Sequence, residues 1–254
     1  MDRVLKIAVV GCTGKLGCSI MKNILNRSDV ILAYAIARKG RTEIGQDISV
    51  LLGGTEKDVA ITDDILQATD CDIFVDCTSA EAFAEVNLPK YLQVKKPVVI
   101  ATTALSDESM SQVYKLAESV PVFMTGNFSI ALYDFISTLK FAVKRISGDT
   151  DIQIVEYHHN QKKDAPSGTA LMIKQALLAA NKNLDRDRIN ICSVRGGNIF
   201  GEHEVIFANC KDEVTTYRHQ VSSREPFSAG AVDVAVWTAN QENGFYTMDE
   251  YAGD

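Results

Sequence analysis

Residues 156–169 run Glu156-Tyr157-His158-His159-Asn160-Gln161-Lys162-Lys163-Asp164-Ala165-Pro166-Ser167-Gly168-Thr169, and no other stretch gathers as much proton-transfer chemistry. Two of the chain's four histidines stand side by side here. An imidazole titrates close to neutral pH, which suits general acid–base work. Taken alone, an adjacent histidine pair on a loop is more often a solvated surface pair, and a lysine pair a solvated face. Density shifts the balance, because imidazoles, ammonium groups and a Pro-Ser-Gly-Thr helix start fall within about one loop length. A helix beginning at Ser167-Gly168-Thr169 offers free backbone N–H groups and a positive dipole end, which favour a carboxylate or phosphate. The combination points to acid–base chemistry on an anionic small molecule.

Two rigid elements must hold this loop. Residues 150–157 alternate polar and apolar side chains like a strand with one buried face. Residues 167–178 read as a helix, with Pro166 and Ser167 as start signals and Ala170, Leu171, Ile173, Leu177 and Leu178 as apolar positions.

The N-terminal half supplies a different pattern. An apolar run over residues 4–10 ends in Gly11-Cys12-Thr13-Gly14-Lys15-Leu16-Gly17, after which Ile20, Met21, Ile24 and Leu25 mark a helix. Strand, glycine turn and helix in that order suit a dinucleotide. Gly11 permits the tight turn, Gly14 lets backbone approach a phosphate, and Gly17 lets the helix pack closely. The spacing is GxxGxxG rather than GxGxxG, a weak signal strengthened by its place after the first strand. Residues 30–36 read as a second strand, whose end would meet the adenosine ribose. There the chain carries Ala37-Arg38-Lys39-Gly40-Arg41, without an acidic residue to grip ribose hydroxyls. Arg38, supported by Lys39 and Arg41, could pair with a 2′-phosphate, so NADPH is expected over NADH, with NADH as an alternative.

Further strands are expected at 71–77, 98–100 and 120–124. Helices are expected between them, including one over 80–95 that Pro89 should kink or split. A short helix is expected over 63–68 and an irregular loop over 45–60. Alternating strands and helices of this length define an α/β fold with an N-terminal doubly wound, Rossmann-type parallel sheet. After a long helix over 130–146 the pattern changes. Strand-like runs at 151–157, 188–195, 202–208 and 213–221 suggest a second, α+β domain on a mostly antiparallel sheet. A helix over 229–240 contains the only tryptophan, Trp237, and residues 244–251 read as a short strand and a final turn or helix. The expected division is a dinucleotide-binding domain over 1–129, joined by 241–254 packing back on it, and a substrate-binding and oligomerisation domain over 130–240.

The long motif at 156–170 resembles the E-x-H-H-x-x-K-x-D-A-P-S-G-T-A signature of the dihydrodipicolinate reductase family. The likeness extends to the glycine turn, Asp76-Cys77-Thr78, Asn127-Phe128-Ser129, Gly201-Glu202-His203 and Ser222-Ser223-Arg224. The resemblance implies nicotinamide-dependent reduction of 4-hydroxy-tetrahydrodipicolinate to tetrahydrodipicolinate in the diaminopimelate route to lysine. It implies His158 as general acid/base, Lys162 as proton donor, and His159, Gly168 and Thr169 as groups binding a dicarboxylate substrate. Cofactor contacts are implied at Gly11, Cys12, Thr13, Gly14, Lys15, Leu16, Ala37, Arg38, Ala101, Thr102, Thr103, Thr125, Gly126, Asn127 and Phe128. A homotetramer built through the C-terminal sheet and hinge closure between domains are implied as well. The family's usual Gly-Thr-Thr-Gly stands here as Ala101-Thr102-Thr103-Ala104.

Composition narrows the alternatives. The 254 residues are 46% hydrophobic and 23% charged, ordinary for a soluble globular protein. A formal charge of −7 with no long basic run argues against a nucleic-acid partner. No apolar stretch approaches a bilayer span, and no signal segment precedes the first strand, so a cytoplasmic location without a membrane partner is expected. Six scattered cysteines lack CxxC spacing, and no metal site is expected. A semialdehyde-type oxidoreductase would need a nucleophilic cysteine near the loop, and none is there. A non-catalytic NADP(H) sensor would need the glycine turn but not His158 and Lys162.

Overall fold

The computed structural model describes residues 3–146 and 149–252, so the outer ends of the expected ranges 1–129 and 241–254 lie outside the described residues. In chain order the strands are β1 (Leu5–Val10), β2 (Val30–Ile36), β3 (Ile61–Thr62), β4 (Ile73–Asp76), β5 (Val98–Ile100) and β6 (Pro121–Met124). They continue with β7 (Asp151–His158), β8 (Ile189–Arg195), β9 (Gly201–Ala208), β10 (Val214–Val221) and β11 (Gly244–Tyr246). The chain divides into two compact units, one of Met1–Phe128 with Glu225–Asp254 and the other of Ser129–Arg224.

In the first unit seven strands lie in the order β11-β6-β5-β4-β1-β2-β3, every neighbouring pair parallel. The order reverses at β1, and crossovers to either side leave a crevice at the strands' carboxyl ends, the doubly wound arrangement that binds dinucleotides. The strands read as apolar runs because helices cover both faces; Ile7, Ala8, Val9, Ile73, Phe74 and Val75 are all fully buried. Gly17 has no side chain for a reason of packing. A Cβ there would lie 2.4 Å from the Gly11 carbonyl oxygen, so only glycine lets the helix Lys15–Leu25 sit this close to the turn.

The segment after β4 divides as the proline required, though with unusual geometry. One helical turn, Ala80–Ala82, passes through a π-helical stretch, Phe83–Asn87, before the helix Leu88–Val94 with Pro89 in its first turn. Proline has no N–H to donate, and a wider turn ahead of it accommodates the ring. The two-residue strand β3 was not expected, being too short to show periodicity. The loop over 45–60 contains one short helix, Ser49–Leu52, and is held by Asp47, whose carboxylate accepts from the N–H groups of Ser49, Lys57 and Val59.

The helix expected over 229–240 runs from Glu225–Thr238 and belongs to the first unit rather than to the second. Its polar Glu225-Pro226 start hides the N-terminus from a reading that begins with the apolar residues, although proline is at ease in a first turn. It packs on the helix Lys15–Leu25 and on β4, β5 and β6. Gly230 is the point of closest approach, where a Cβ would lie 2.0 Å from the Phe128 carbonyl oxygen. Ser228 Oγ bonds Ser19 Oγ at 2.8 Å, Asn23 Nδ2 donates to it at 2.8 Å, and Arg27 pairs with Asp233.

The second unit is a four-stranded sheet in the order β10-β9-β7-β8, with two antiparallel pairs and one parallel pair, β7 with β8. The helices Ile130–Val143 and Gly168–Ala180 cover one face, burying Leu132, Ile136, Leu139, Ile173 and Leu177 against Ile152, Ile154 and Val205. No helix among the described residues is long and apolar enough to cross a membrane.

Candidate active site

Strand β7 explains how the histidine pair is divided. Its inward positions are Ile152, Ile154, Glu156 and His158, all buried, while Gln153, Val155 and Tyr157 fall on the other side. His158 therefore ends a buried row, and His159 leaves the strand into a turn that the Lys162 N–H closes on the His159 carbonyl. The His159 Nδ1 is buried and finds no partner among the described residues.

Glu156 is wholly buried, and a buried carboxylate must be met by donors or a cation. Arg195 at the end of β8 reaches Oε1 at 2.8 Å, the Ser167 N–H donates to Oε1 at 3.3 Å, and Oε2 faces the His158 Nδ1. Burial pushes this carboxyl up, but hydrogen bonds from Arg195, Ser193 and His158 outweigh it and hold the pKa at about 2. For His158 burial is the larger influence and lowers its pKa, against an opposing pull from Glu156. His203, on β9 directly opposite Glu156, packs edge-on against the His158 ring at 5.4 Å. Burial, followed by the neighbouring His158, depresses the His203 pKa to about 3, so it is neutral at physiological pH. A Cβ on Gly201 would lie 3.3 Å from the His158 Nε2, so the bare glycine leaves that nitrogen its room. Glu156, His158 and His203 bring ligand-type atoms within 4.8 Å of one another. Both Glu156 oxygens are engaged by hydrogen bonds, which makes the group a proton-ordering network rather than an open coordination sphere.

The loop's remaining groups lie nearby in sequence. Lys162 Nζ pairs with Asp164 at 2.9 Å, and that hydrogen bond holds the Asp164 carboxyl below its ordinary range. The helix Gly168–Ala180 is capped by Ser167, whose Oγ accepts from the Ala170 N–H. The Gly168 and Thr169 N–H groups have no acceptor among the described residues. Two free N–H groups at the positive end of a thirteen-residue helix make an anion cradle.

The first unit holds a cavity of about 440 Å³ at the carboxyl ends of its strands, lined by Gly11, Thr13, Ala37, Arg38, Thr78 and Ser79 among others. Gly11 has φ +87°, and a Cβ there would meet the Cys77 carbonyl oxygen and Thr78 Cγ2 at 3.1 Å. The helices beginning after Ser106, Ser129 and Ser167 are capped by those hydroxyls, whereas the one after Gly14 has no side-chain cap. Its first N–H groups are therefore left for a ligand. Gly14, Lys15 and Leu16 form that helix start, while Cys12 is fully buried and its thiol pushed up to about 12 by burial, so only its backbone can serve a ligand. Ala101, Thr102 and Thr103 follow β5, and Thr125, Gly126, Asn127 and Phe128 follow β6. Thr102 Oγ1 donates to the Thr78 carbonyl at 2.9 Å, and Gly126 faces Thr103 Cγ2. These seven residues stand at adjacent strand ends, outside the lining of the cavity. Of the three cations after β2, Arg41 is paired with Glu43 at 2.7 Å, while Arg38 and Lys39 line the cavity and make no ion pair among the described residues. Ala104 adopts φ +59°, a left-handed conformation that glycine takes at no steric cost.

Glu156, Arg195 and His203 carry functional geometry that motif reading did not assign. A signal was present for the first: a carboxylate in the inward register of an otherwise apolar strand calls for a counterion. Nothing local marks Arg195 as that counterion.

A bare glycine turn, an uncapped helix start and an adjoining cavity fit the nicotinamide cofactor that this fold implies, without distinguishing its two forms. Comparison with known proteins agrees. The sequence model "Dihydrodipicolinate reductase, N-terminus" matches residues 5–128, and "Dihydrodipicolinate reductase, C-terminus" matches residues 131–251. A 4-hydroxy-tetrahydrodipicolinate reductase of Roseobacter denitrificans is 34% identical, aligned over 100% of this chain and 98% of that one. One of Geotalea daltonii is 33% identical over 98% of this chain and 99% of its own length. A dipicolinate-bound dihydrodipicolinate reductase from Paenisporosarcina sp. TG-14 shares the fold, with TM-score 0.79 and 23% identity over 98% of this chain and 99% of that one. With both halves matched and relatives aligned end to end, the chain belongs to the dihydrodipicolinate reductase family.

Proposed function

We propose that this chain reduces 4-hydroxy-tetrahydrodipicolinate to tetrahydrodipicolinate, with loss of water, at the diaminopimelate stage of lysine biosynthesis. The observation that carries the reading is the gathering of His158, Lys162 and the free Gly168 and Thr169 N–H groups around one loop in a chain of this family. A bound dihydronicotinamide supplies the hydride. The chain's own residues supply the rest: the helix start at Gly168-Thr169 and His159 hold the substrate's carboxylates, and Lys162 and His158 carry the acid–base steps. These are the proton exchange that lets the hydroxyl leave as water and the single proton the ring takes up after hydride addition. His158 suits this role because its Nδ1 is occupied by Glu156 while Nε2 has no partner among the described residues.

The same reading takes NADPH in preference to NADH. Arg38 and Lys39 support it, being unpaired cations in the lining of the first unit's cavity. Assembly as a homotetramer through the C-terminal sheet, a cytoplasmic location and the domain roles given above belong to this proposal.

The direct test follows nicotinamide oxidation with substrate generated in place from pyruvate and aspartate semialdehyde by the preceding synthase. Substrate-dependent oxidation is expected with NADPH, falling about 10²- to 10⁴-fold in His158→Gln or Lys162→Met with NADPH binding retained. Folded protein that binds NADPH yet oxidises none would sink the assignment in favour of a non-catalytic nucleotide sensor. Arg38→Ser should raise the KM for NADPH about tenfold or more and leave that for NADH unchanged. Equal changes in both would remove the basis for the preference.

A further inference from the structure

Glu156 lies at the centre of a polar row that crosses the second unit's sheet. The register sets Ser193 on β8 beside Glu156 on β7, Glu156 opposite His203 on β9, and His203 opposite His219 on β10. Residues directly paired across a sheet share a face, so all four point to the side that elsewhere buries Ile152, Ile154 and Val205. A hydrophobic sheet does not keep such a row for packing. Two residues further along β7, and so on the same face, stands His158, with Arg195 paired to it on β8.

The arrangement has a direction. Arg195 Nη2 donates to Glu156 Oε1 at 2.8 Å and to the Asp164 carbonyl at 2.7 Å, tying the carboxylate to the loop that carries Lys162. The Ser167 N–H, just ahead of the anion-cradling helix, donates to the same oxygen. The other oxygen, Oε2, is left to the His158 Nδ1. Because Oε1 is saturated by N–H donors, the carboxylate acts at Oε2 as an acceptor, which requires the proton on Nδ1 of the neutral imidazole and leaves Nε2 as the exchanging atom. His203 touches the His158 ring from β9, but it stays neutral and its Nε2 is directed to Ser167 Oγ at 3.4 Å, so it does not compete for the Glu156 charge. Lys162 and Arg195 are the cations acting on His158, and both oppose its protonation. At the far end of the row, burial lowers the pKa of His219.

We propose that Glu156 is a positioning residue of the reaction: held by Arg195 and the Ser167 N–H, its carboxylate fixes the His158 ring with Nδ1 protonated and Nε2 free, and sustains the imidazolium form. This rests on the reading of His158 as the proton-transfer group. Glu156 itself touches neither substrate nor cofactor and acts only through the imidazole.

The test is a double-mutant cycle on the full-length enzyme with His158→Gln and Glu156→Gln, read as kcat, KM, NADPH dissociation constant and pH profile, alongside nitrogen NMR of the histidine rings. Glu156→Gln should lower kcat about 10²-fold while the NADPH dissociation constant stays within about twofold. It should move the His158 limb of the kcat/KM profile to lower pH, because a neutral amide no longer favours imidazolium. In the His158→Gln background the same change should cost less than about threefold. Glu156→Asp restores the charge at a shorter reach and should recover at least about tenfold over Glu156→Gln, a rescue that a purely structural role would not give. Equal losses in both backgrounds, or an unmoved pH limb, would overturn the proposal. If His158→Gln alone keeps full turnover, the role proposed for His158 falls; the NMR tautomer and His158 titration in wild type and Glu156→Asp still decide whether Glu156 sets the state of that ring. A ring protonated on Nε2 in wild type would overturn the inference outright.

Discussion

Asp76 in the first unit and Glu156 in the second are both fully buried carboxyl groups near the carboxyl ends of central strands, yet their surroundings differ in kind. Asp76 is met by neutral donors: Thr78 Oγ1 at 2.6 Å, the Thr78 N–H at 3.0 Å, Asn87 Nδ2 at 2.9 Å and Tyr91 OH at 2.7 Å. Burial raises its pKa in spite of them. Glu156 has as many hydrogen-bond partners, but one is a guanidinium and another an imidazole, and its pKa falls to about 2. The number of hydrogen bonds therefore does not decide which way a buried carboxyl's pKa moves; the presence of a cation does. The difference matches what each group organises. Asp76 fixes Thr78 and Asn87, which line the cavity of the first unit, by shape alone. Glu156 orders a proton on His158, which demands charge.

The contrast can be broken most directly at Arg195. Arg195→Met leaves the Glu156 carboxylate without its cation, and removing one partner of a buried pair costs about 3–5 kcal/mol. The lower end is expected because the Arg195 side chain keeps 19% of its surface exposed. Urea unfolding at pH 7 reads it, and a loss under about 1 kcal/mol would make Glu156 no different from Asp76.

Acid-to-amide exchanges compare the two sites at constant shape. Glu156→Gln should cost about 2 kcal/mol through its charge-assisted bonds, and Asp76→Asn no more than about 1 kcal/mol, since neutral donors can re-pair with an amide. The reverse order would contradict the assignment of charge.

The pH dependence of these two differences should run in opposite directions. Glu156 has a depressed pKa, so its advantage over glutamine is present above its ordinary value of 4.5 and lost as pH falls through about 2. Asp76 has a raised pKa, so its advantage over asparagine is full below its ordinary value of 3.8 and declines as pH rises through its folded value. Unfolding free energies of both pairs between pH 2 and 7 decide the matter, and parallel slopes would refute it.

The smallest effect sharpens the comparison by isolating backbone from charge. Ala104, in the first unit with φ +59°, touches neither network, and Ala104→Gly should relieve about 1 kcal/mol of left-handed strain. The gain is read as a raised thermal midpoint that does not vary with pH.

Much of the fold was legible because its signals are local. The apolar run before Gly11 and the helix-period residues after Gly17 foretold β1 and the helix Lys15–Leu25, and Ser106 and Ser167 foretold their helix starts. Pro89 foretold an interruption, though not the π-helical turn that makes it. The helix Glu225–Thr238 starts earlier than its apolar residues indicate and lies in the first unit, because an apolar helix states that it is buried but not against what. Within the candidate site, His158 and Lys162 were readable from residue type and spacing, whereas Arg195 looked like one more residue before a glycine turn.

The sequence by itself determined which segments are strands and helices, where a glycine turn leaves backbone bare, and which loop concentrates acid–base groups, since each is written in residues only a few positions apart. Tertiary structure alone decided the strand order β11-β6-β5-β4-β1-β2-β3 and the row that brings Arg195 and His203 to Glu156. Arg195 lies 39 residues from its carboxylate in the chain and 2.8 Å from it in space. Propensity and periodicity act over a turn or two, but the pairing of strands is settled by burial of whole faces, and a shift of one residue in register would have turned Glu156 and His158 away from each other's partners.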